Sequence, residues 1–338
     1  MTLRDLREEK SSRLVTVLVI NWNGAHVLEE CLQGLRAQSF PDYSVIVVDN
    51  GSTDGSLELL HDHHPDVKVI ALPRNEGFAR ANNIVLKGLT TPYVALVNND
   101  VLLAPNWLQV MVHALNGHPQ AWAAACKMVS AFCPHIVDRA GDAYTIEGAG
   151  LLRGRGERAQ DYAKREWVFG ACAGASLYRT KVFQELGFFD EDFFLLYEDV
   201  DLSFRAVLRG YRCLYVPEAV ALHRVSYSVG RDSALSVYYG QRNLEWVYVK
   251  NMPLSLLALT LPLHIIYNIG AGLYLARKGR GREFLRAKVS ALRGLPTMMQ
   301  KRKKVQSRRI VNARTLWSFL TKDVLKRRYA LKRRYLNT

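Results

Sequence analysis

From residue 15 the chain alternates two hydrophobic patterns. VTVLVI (15–20), SVIVVDN (44–50), VKVIAL (67–72) and YVALVNND (93–100) are short apolar runs rich in β-branched residues, as expected of strands buried on both faces. Between them lie segments with helical spacing: LEECLQGLRAQ (28–38), a short helix around 57–60, GFARANNIVLKGL (77–89) and one starting near Pro105. Strand–helix alternation with short connections predicts an α/β fold. Its sheet is Rossmann-like and mostly parallel, with right-handed crossovers and helices on both faces.

The pattern weakens over 130–165, which is rich in Gly, Arg and Asp and reads as loops with a short hairpin. WVFGACAGASLY (167–178) resumes strand character, helices are expected at about 180–186 and 199–209, and RCLYVPEAVALH (212–223) reads as a strand and an extended stretch. After 230 a polar and aromatic helix leads into 252–276, which holds no Lys, Arg, Asp or Glu. That length would just span a bilayer. Pro253, Pro262, His264 and Asn268 make it a poor spanning helix, so a pair of short interfacial or re-entrant helices is an equal reading. The expected organisation is an N-terminal extension (1–13), a catalytic domain (14–230) and a helical C-terminal region (231–338).

Charge sharpens this division. The net charge is +15, but residues 251–338 hold 21 Lys/Arg against 2 acids, whereas the first 250 hold 25 against 29. A slightly acidic body carries a basic tail. Charge confined to a tail beside an uncharged apolar segment points away from nucleic acid and towards an anionic membrane surface. Five scattered cysteines without C-x-x-C spacing argue against a zinc site or a disulfide framework and fit a reducing compartment. The charged N-terminal stretch has no apolar run of signal-peptide length.

Candidate chemistry clusters at predicted strand ends, where open parallel sheets bind ligands. Asn98-Asn99-Asp100 closes the fourth strand; Asn98 and Asp100, two apart, suit a hard divalent cation, Mg²⁺ or Mn²⁺, bridging a diphosphate. Asp49, at the end of the second strand, offers a carboxylate for a uracil or thymine ring N–H, within a loop that also reads as a helix-capping turn. Glu198 and Asp199 follow an aromatic run; one of them can take the proton of an attacking hydroxyl. His223, after the last strand, could fill a further metal position.

In order, VTVLVINWNG, VIVVDNGSTDGS, RNEGFARANN, ALVNND, the stretch from GACAGASLY to AVLRGY and ALHRVSYS resemble the family 2 glycosyltransferases, over roughly 14–230. That resemblance implies the GT-A fold, inverting transfer and a nucleotide-diphosphate sugar donor held by Asn21, Asn23, Asp49, Asn75, Gly77, Asn82 and Asn98. It places the family's Asp-x-Asp metal motif on Asn98-Asn99-Asp100, where Asn98 departs from the first Asp and loses a charge. It makes Asp199 the general base beside Glu198 and His223 a metal ligand. The NWNG and NND variants and YYGQRN (238–243) look like the bacterial rhamnosyltransferase branch of O-antigen and cell-wall assembly. This implies dTDP-L-rhamnose as donor, a polyprenyl-diphosphate-linked or glycan acceptor, and work at the cytoplasmic face of the cell membrane.

Overall fold

The structure, a computed structural model, describes residues 13–224 and 233–322. Most of the N-terminal extension, the end of ALHRVSYS and the last Lys/Arg clusters lie outside the described residues.

β1 (Val15–Asn21), β2 (Tyr43–Asp49), β3 (Lys68–Ala71) and β4 (Tyr93–Asn98) pair in parallel in the order β4-β1-β2-β3. The helices α1 (Ala25–Arg36), α2 (Ser56–His63) and α3 (Phe78–Leu86) connect them. β1 shows why its sequence is apolar throughout. Val15, Val17 and Val19 pack on one face with Leu28, Leu32 and Trp107, while Leu18 and Ile20 pack on the other with Val48 and Val85. Fully burying each such side chain contributes about 1.5–3 kcal/mol.

Beyond β4 come β5 (Val101–Leu103), α4 (Trp107–Gly117), β6 (Ala121–Ser130), β7 (Val137–Arg139), β8 (Asp142–Tyr144), β9 (Gly150–Leu152) and β10 (Glu166–Val168). They are followed by β11 (Ala175–Arg179), α5 (Thr180–Leu186), α6 (Glu198–Leu208) and β12 (Arg212–His223). The main sheet runs β10-β12-β6-β11-β4-β1-β2-β3, with β11 antiparallel to both neighbours. The expected hairpin within 130–165 is β8–β9. β12 is one long strand that pairs parallel to β6 and, at its end, antiparallel to β5.

Three long helices follow: α7 (Ala234–Asn251), α8 (Leu254–Arg277) and α9 (Gly281–Ser307), then a short α10 (Ala313–Phe319). α8 is a single continuous helix that contains Pro262, not a pair of short ones. These helices are packed onto the catalytic body. Trp246, Val247 and Met252 of α7 and its exit, with Met298 of α9, share a core cluster with Phe193, Phe204 and Leu208. Polar contacts reinforce the join. The fully buried Asp201 of α6 is paired with Arg205 (2.8 Å), Lys250 Nζ (2.9 Å) and the Asn251 amide (2.8 Å).

Candidate active site

At the carboxyl ends of β1, β2 and β4 lies a cleft of about 480 Å³, walled on the far side by the segment 194–200. Its floor is an amide–carboxylate ladder. Asn99 Nδ2 donates to Asn21 Oδ1 (2.8 Å), Asn21 Nδ2 donates to Asp49 Oδ2 (2.9 Å), and the Ser52 N–H donates to Asp49 Oδ1 (2.9 Å). Asn21 and Asp49 are both fully buried. Asp49 is not among the cleft-lining residues, and each of its oxygens accepts one hydrogen bond that shapes the loop after β2. Asn23, exposed and with φ 51°, accepts the Thr53 N–H (2.8 Å) and pins that loop from outside the cleft. Asn82 is buried within α3, its amide donating to the Phe78 carbonyl (2.8 Å), and does not reach the cleft wall.

Asn75, Gly77 and Asn98 do line the cleft, together with Trp22, Asn50 and Phe78. Asn75 Oδ1 accepts from Asn50 Nδ2 (3.1 Å) and from the Gly77 N–H (2.9 Å). Gly77 has φ +82°, and a Cβ there would lie 2.5 Å from the Phe194 ring, so the close approach of the two walls requires glycine.

Asp100 and His223 meet because β5 and β12 pair antiparallel, with His223 opposite Val101. His223 Nε2 stands 3.5 Å from Asp100 Oδ1, while its Nδ1 faces Asp138 Oδ2 at 2.8 Å; Arg155 holds the other Asp138 oxygen at 2.6 Å. Burial opposes the His223 charge, but its contacts with Asp100 and Asp138 outweigh this and raise it to about 9.

Asp199, which also lines the cleft, lies in the first turn of α6. Its Oδ1 accepts the Val200 N–H (2.8 Å), and its Oδ2 lies 3.4 Å from the Ala173 N–H and 3.5 Å from Arg139 Nη1. Arg139 also faces Asp142 at 3.3 Å. Glu198, one residue earlier, is buried, and its Oε2 has no hydrogen-bond partner. Burial, and then the neighbouring Asp199 carboxylate, push Glu198 up to about 8. Burial likewise raises Asp142 to about 7, opposed by Arg139. Two adjacent carboxyls thus differ in environment: Glu198 is enclosed, and Asp199 faces the cleft beside a guanidinium.

Residues 16–187 match the model of glycosyl transferase family 2, and 159–322 that of glycosyl transferase family group 2. The chain is a family 2 glycosyltransferase. Among its relatives is the N-acetylglucosaminyl-diphospho-decaprenol L-rhamnosyltransferase of Mycobacterium tuberculosis, 28% identical over 254 residues, which cover 65% of this chain and 79% of the relative. The fold is that of GT-A transferases. It superposes on GalNAc-T7, solved with UDP, GalNAc and Mn²⁺, at a TM-score of 0.57 and 15% identity, covering 72% of this chain and 48% of that one. The mannosyltransferase PcManGT from Pyrobaculum calidifontis, solved with GDP-Man and Mn²⁺, gives 0.52 at 20% identity, covering 86% and 92%.

In this glycosyltransferase the residues that suit a divalent cation are Asp100 and His223. Asp100 Oδ1 is a buried acceptor without a hydrogen-bond partner, and Asp138 on Nδ1 leaves His223 Nε2 facing it. A carboxylate behind a ligating imidazole is the usual way its orientation is fixed. No group of three or more His, Cys, Asp or Glu is placed to hold a metal among the described residues. The two side chains would therefore need a ligand's oxygens and water to complete a shell.

Sequence reasoning on this glycosyltransferase missed Asp138, Arg139 and Asp142, all within 130–165. The signal available was the charge cluster DRAGD (138–142) in a segment of weak periodicity. It also missed Trp22 and Asn50, which lie inside the NWNG and VIVVDNGSTDGS motifs already singled out.

Proposed function

We propose that the enzyme transfers L-rhamnose from dTDP-L-rhamnose to a polyprenyl-diphosphate-linked sugar in cell-envelope glycan synthesis, with inversion, at the cytoplasmic face of the membrane. The observation that supports the catalytic part is that Asp199, Asp100 and His223 all line the same cleft. The donor's diphosphate lies towards Asp100 and His223, which would hold Mg²⁺ or Mn²⁺; the cation supplies charge stabilisation for the leaving diphosphate. Its base and ribose lie over Trp22, Asn50, Asn75 and Gly77. Asp199 accepts the proton of the acceptor hydroxyl as that oxygen bonds to the anomeric carbon and the bond from this carbon to the diphosphate breaks. Arg139, 3.5 Å from Asp199 Oδ2, steadies its orientation. The sugar and acceptor preferences rest on the rhamnosyltransferase relative and on the YYGQRN and NND segments.

The test is a thermal-shift panel of dTDP, UDP, GDP and CDP, each with and without Mg²⁺ or Mn²⁺, followed by transfer to a synthetic polyprenyl-diphosphate N-acetylglucosamine. Ligands that bind the native state raise its melting point by mass action. A metal-dependent shift selective for dTDP is expected. A shift selective for UDP would keep the transferase and replace the donor.

A further inference from the structure

We infer that α8 does not cross the bilayer: it lies along the membrane plane, and together with α9 forms a one-sided docking surface for anionic lipid. This rests on the membrane-associated reading above and decides the orientation that length and composition leave open. α8 is long and apolar enough to span a membrane, with a mean hydropathy of 1.6 over its best window. At about 1.5 Å per residue it is about 36 Å long, against a hydrocarbon core of about 30 Å.

The contacts at its midpoint forbid that use. His264 is 4% exposed. Its Nδ1–H donates to the Glu147 carbonyl (2.6 Å), its Nε2 lies 2.9 Å from Glu245, and its ring stacks on Tyr248 at 3.9 Å. Glu245 is tied in turn to Lys288 of α9 at 2.6 Å. Gly148 presses so closely that a Cβ there would lie 2.5 Å from Tyr248 and 2.8 Å from His264. The loop before β9 and an ionic cluster are therefore fastened to the middle of α8. A spanning α8 would carry them into the hydrocarbon core, where unsolvated charge and backbone are excluded. Only the last turns, 269–277, lie beyond these contacts, about 13 Å of helix.

The exposure pattern agrees. Leu256, Thr260, His264 and Leu275 form one narrow buried stripe. The rest of the helix is open, including Leu259 (63% exposed), Ile266 (66%) and Ile269 (59%). α9 continues the surface. Ala287, Ala291 and Met298 face the body, while Leu285, Val289, Leu292 and Met299 lie exposed on a second stripe at helical spacing. Arg282, Arg286 and Arg293 border that stripe, and Arg277 and Lys278 end α8. None of these five forms an ion pair with a carboxylate among the described residues. An apolar stripe flanked by unpaired cations fits an anionic bilayer surface, where the stripe enters the headgroup boundary and the cations meet lipid phosphates.

The experiment uses the full-length chain with Cys133→Ser and Cys172→Ser, carrying one new cysteine at Ile266 or Leu292 labelled with bimane. Phosphatidylcholine–phosphatidylglycerol vesicles contain spin labels placed either near the headgroups or at the bilayer centre. Both positions should be quenched chiefly by the shallow label, and a cysteine at Arg277 should stay reactive to an impermeant maleimide outside sealed vesicles. Val289→Asp with Leu292→Asp should lower vesicle partitioning about tenfold or more. Dominant deep quenching at Ile266, with protection at position 277, would overturn the in-plane orientation while leaving membrane binding intact. Absence of binding to these vesicles would instead overturn the membrane reading itself, and the orientation with it.

Discussion

The side-chain amide of Asn243 donates to the backbone carbonyl of Leu196 at 2.7 Å. The same nitrogen reaches the carbonyls of Phe193 (2.9 Å) and Leu195 (2.8 Å), and Arg242 beside it donates to those of Asp192 (2.9 Å) and Phe193 (3.0 Å). These carbonyls belong to a turn in which Phe194, Leu196 and Tyr197 all have positive φ, an arrangement costly for side chains of this size. The turn ends at Glu198 and Asp199. Asn243 is fully buried and does not itself line the cleft, though it holds the carbonyls of Leu195 and Leu196, which do. It is a positioning residue, and Asn243→Ala should lower kcat about tenfold to a hundredfold with the donor KM nearly unchanged. A loss of melting temperature alone, with kcat intact below it, would reduce Asn243 to a stabilising role.

Asp199→Asn keeps the shape of the side chain and removes the proton acceptor. Transfer should fall by about 10²–10⁴, while nucleotide-dependent thermal shifts persist. Turnover at the wild-type rate would remove Asp199 from the chemistry.

Asp100→Ala and His223→Ala address the Asp100–His223 pair. Each should abolish or strongly weaken the extra stabilisation that Mn²⁺ adds to a bound nucleoside diphosphate, measured as the difference between shifts with and without the ion. An unchanged difference in both variants would place the cation elsewhere.

Glu198 gives a pH signature. Its carboxyl is raised to about 8 in the fold, so between the ordinary glutamate value and that point the native state holds a proton that the unfolded chain has released. Stability attributable to Glu198 is therefore lost as pH rises from about 4.5 towards 8. Glu198→Gln keeps a neutral side chain at every pH. Its melting temperature relative to the wild type should climb across that window and level off above it. A constant difference from pH 5 to 8 would show that Glu198 titrates normally.

The parallel half of the fold was legible because each strand is apolar on both faces and each helix keeps its spacing. The end of β4 announced itself through Asn98-Asn99-Asp100, and α6 through Glu198-Asp199. The sequence did not disclose which polar groups look into the cleft. Asn21 and Asp49 are in motifs that read as ligand contacts; in the fold they are buried and hydrogen-bonded to each other, a matter of side-chain packing that no spacing encodes. Arg139 and Asp142 were hidden for a different reason. They reach the site through β7, which pairs with β6, and through the β8–β9 hairpin; β7, β8 and β9 have three residues each and leave no periodicity to read. Arg242 and Asn243 of YYGQRN stood out only as part of a likeness; their work is done against backbone carbonyls nearly fifty residues earlier.

The pairing of Asp201 with Lys250 and Asn251 has a consequence for the order in which the protein is made. Asp201 sits within the helix that begins at Glu198 and Asp199, yet two of its three partners are synthesised about fifty residues later. A nascent chain that has released residues 1–230 from the ribosome can pair its sheet, but it holds that buried carboxylate with Arg205 alone. The catalytic wall closes only when α7 emerges, and the apolar α8 follows directly behind it. Completion of the cleft wall and arrival of the apolar α8 are thus consecutive events in translation.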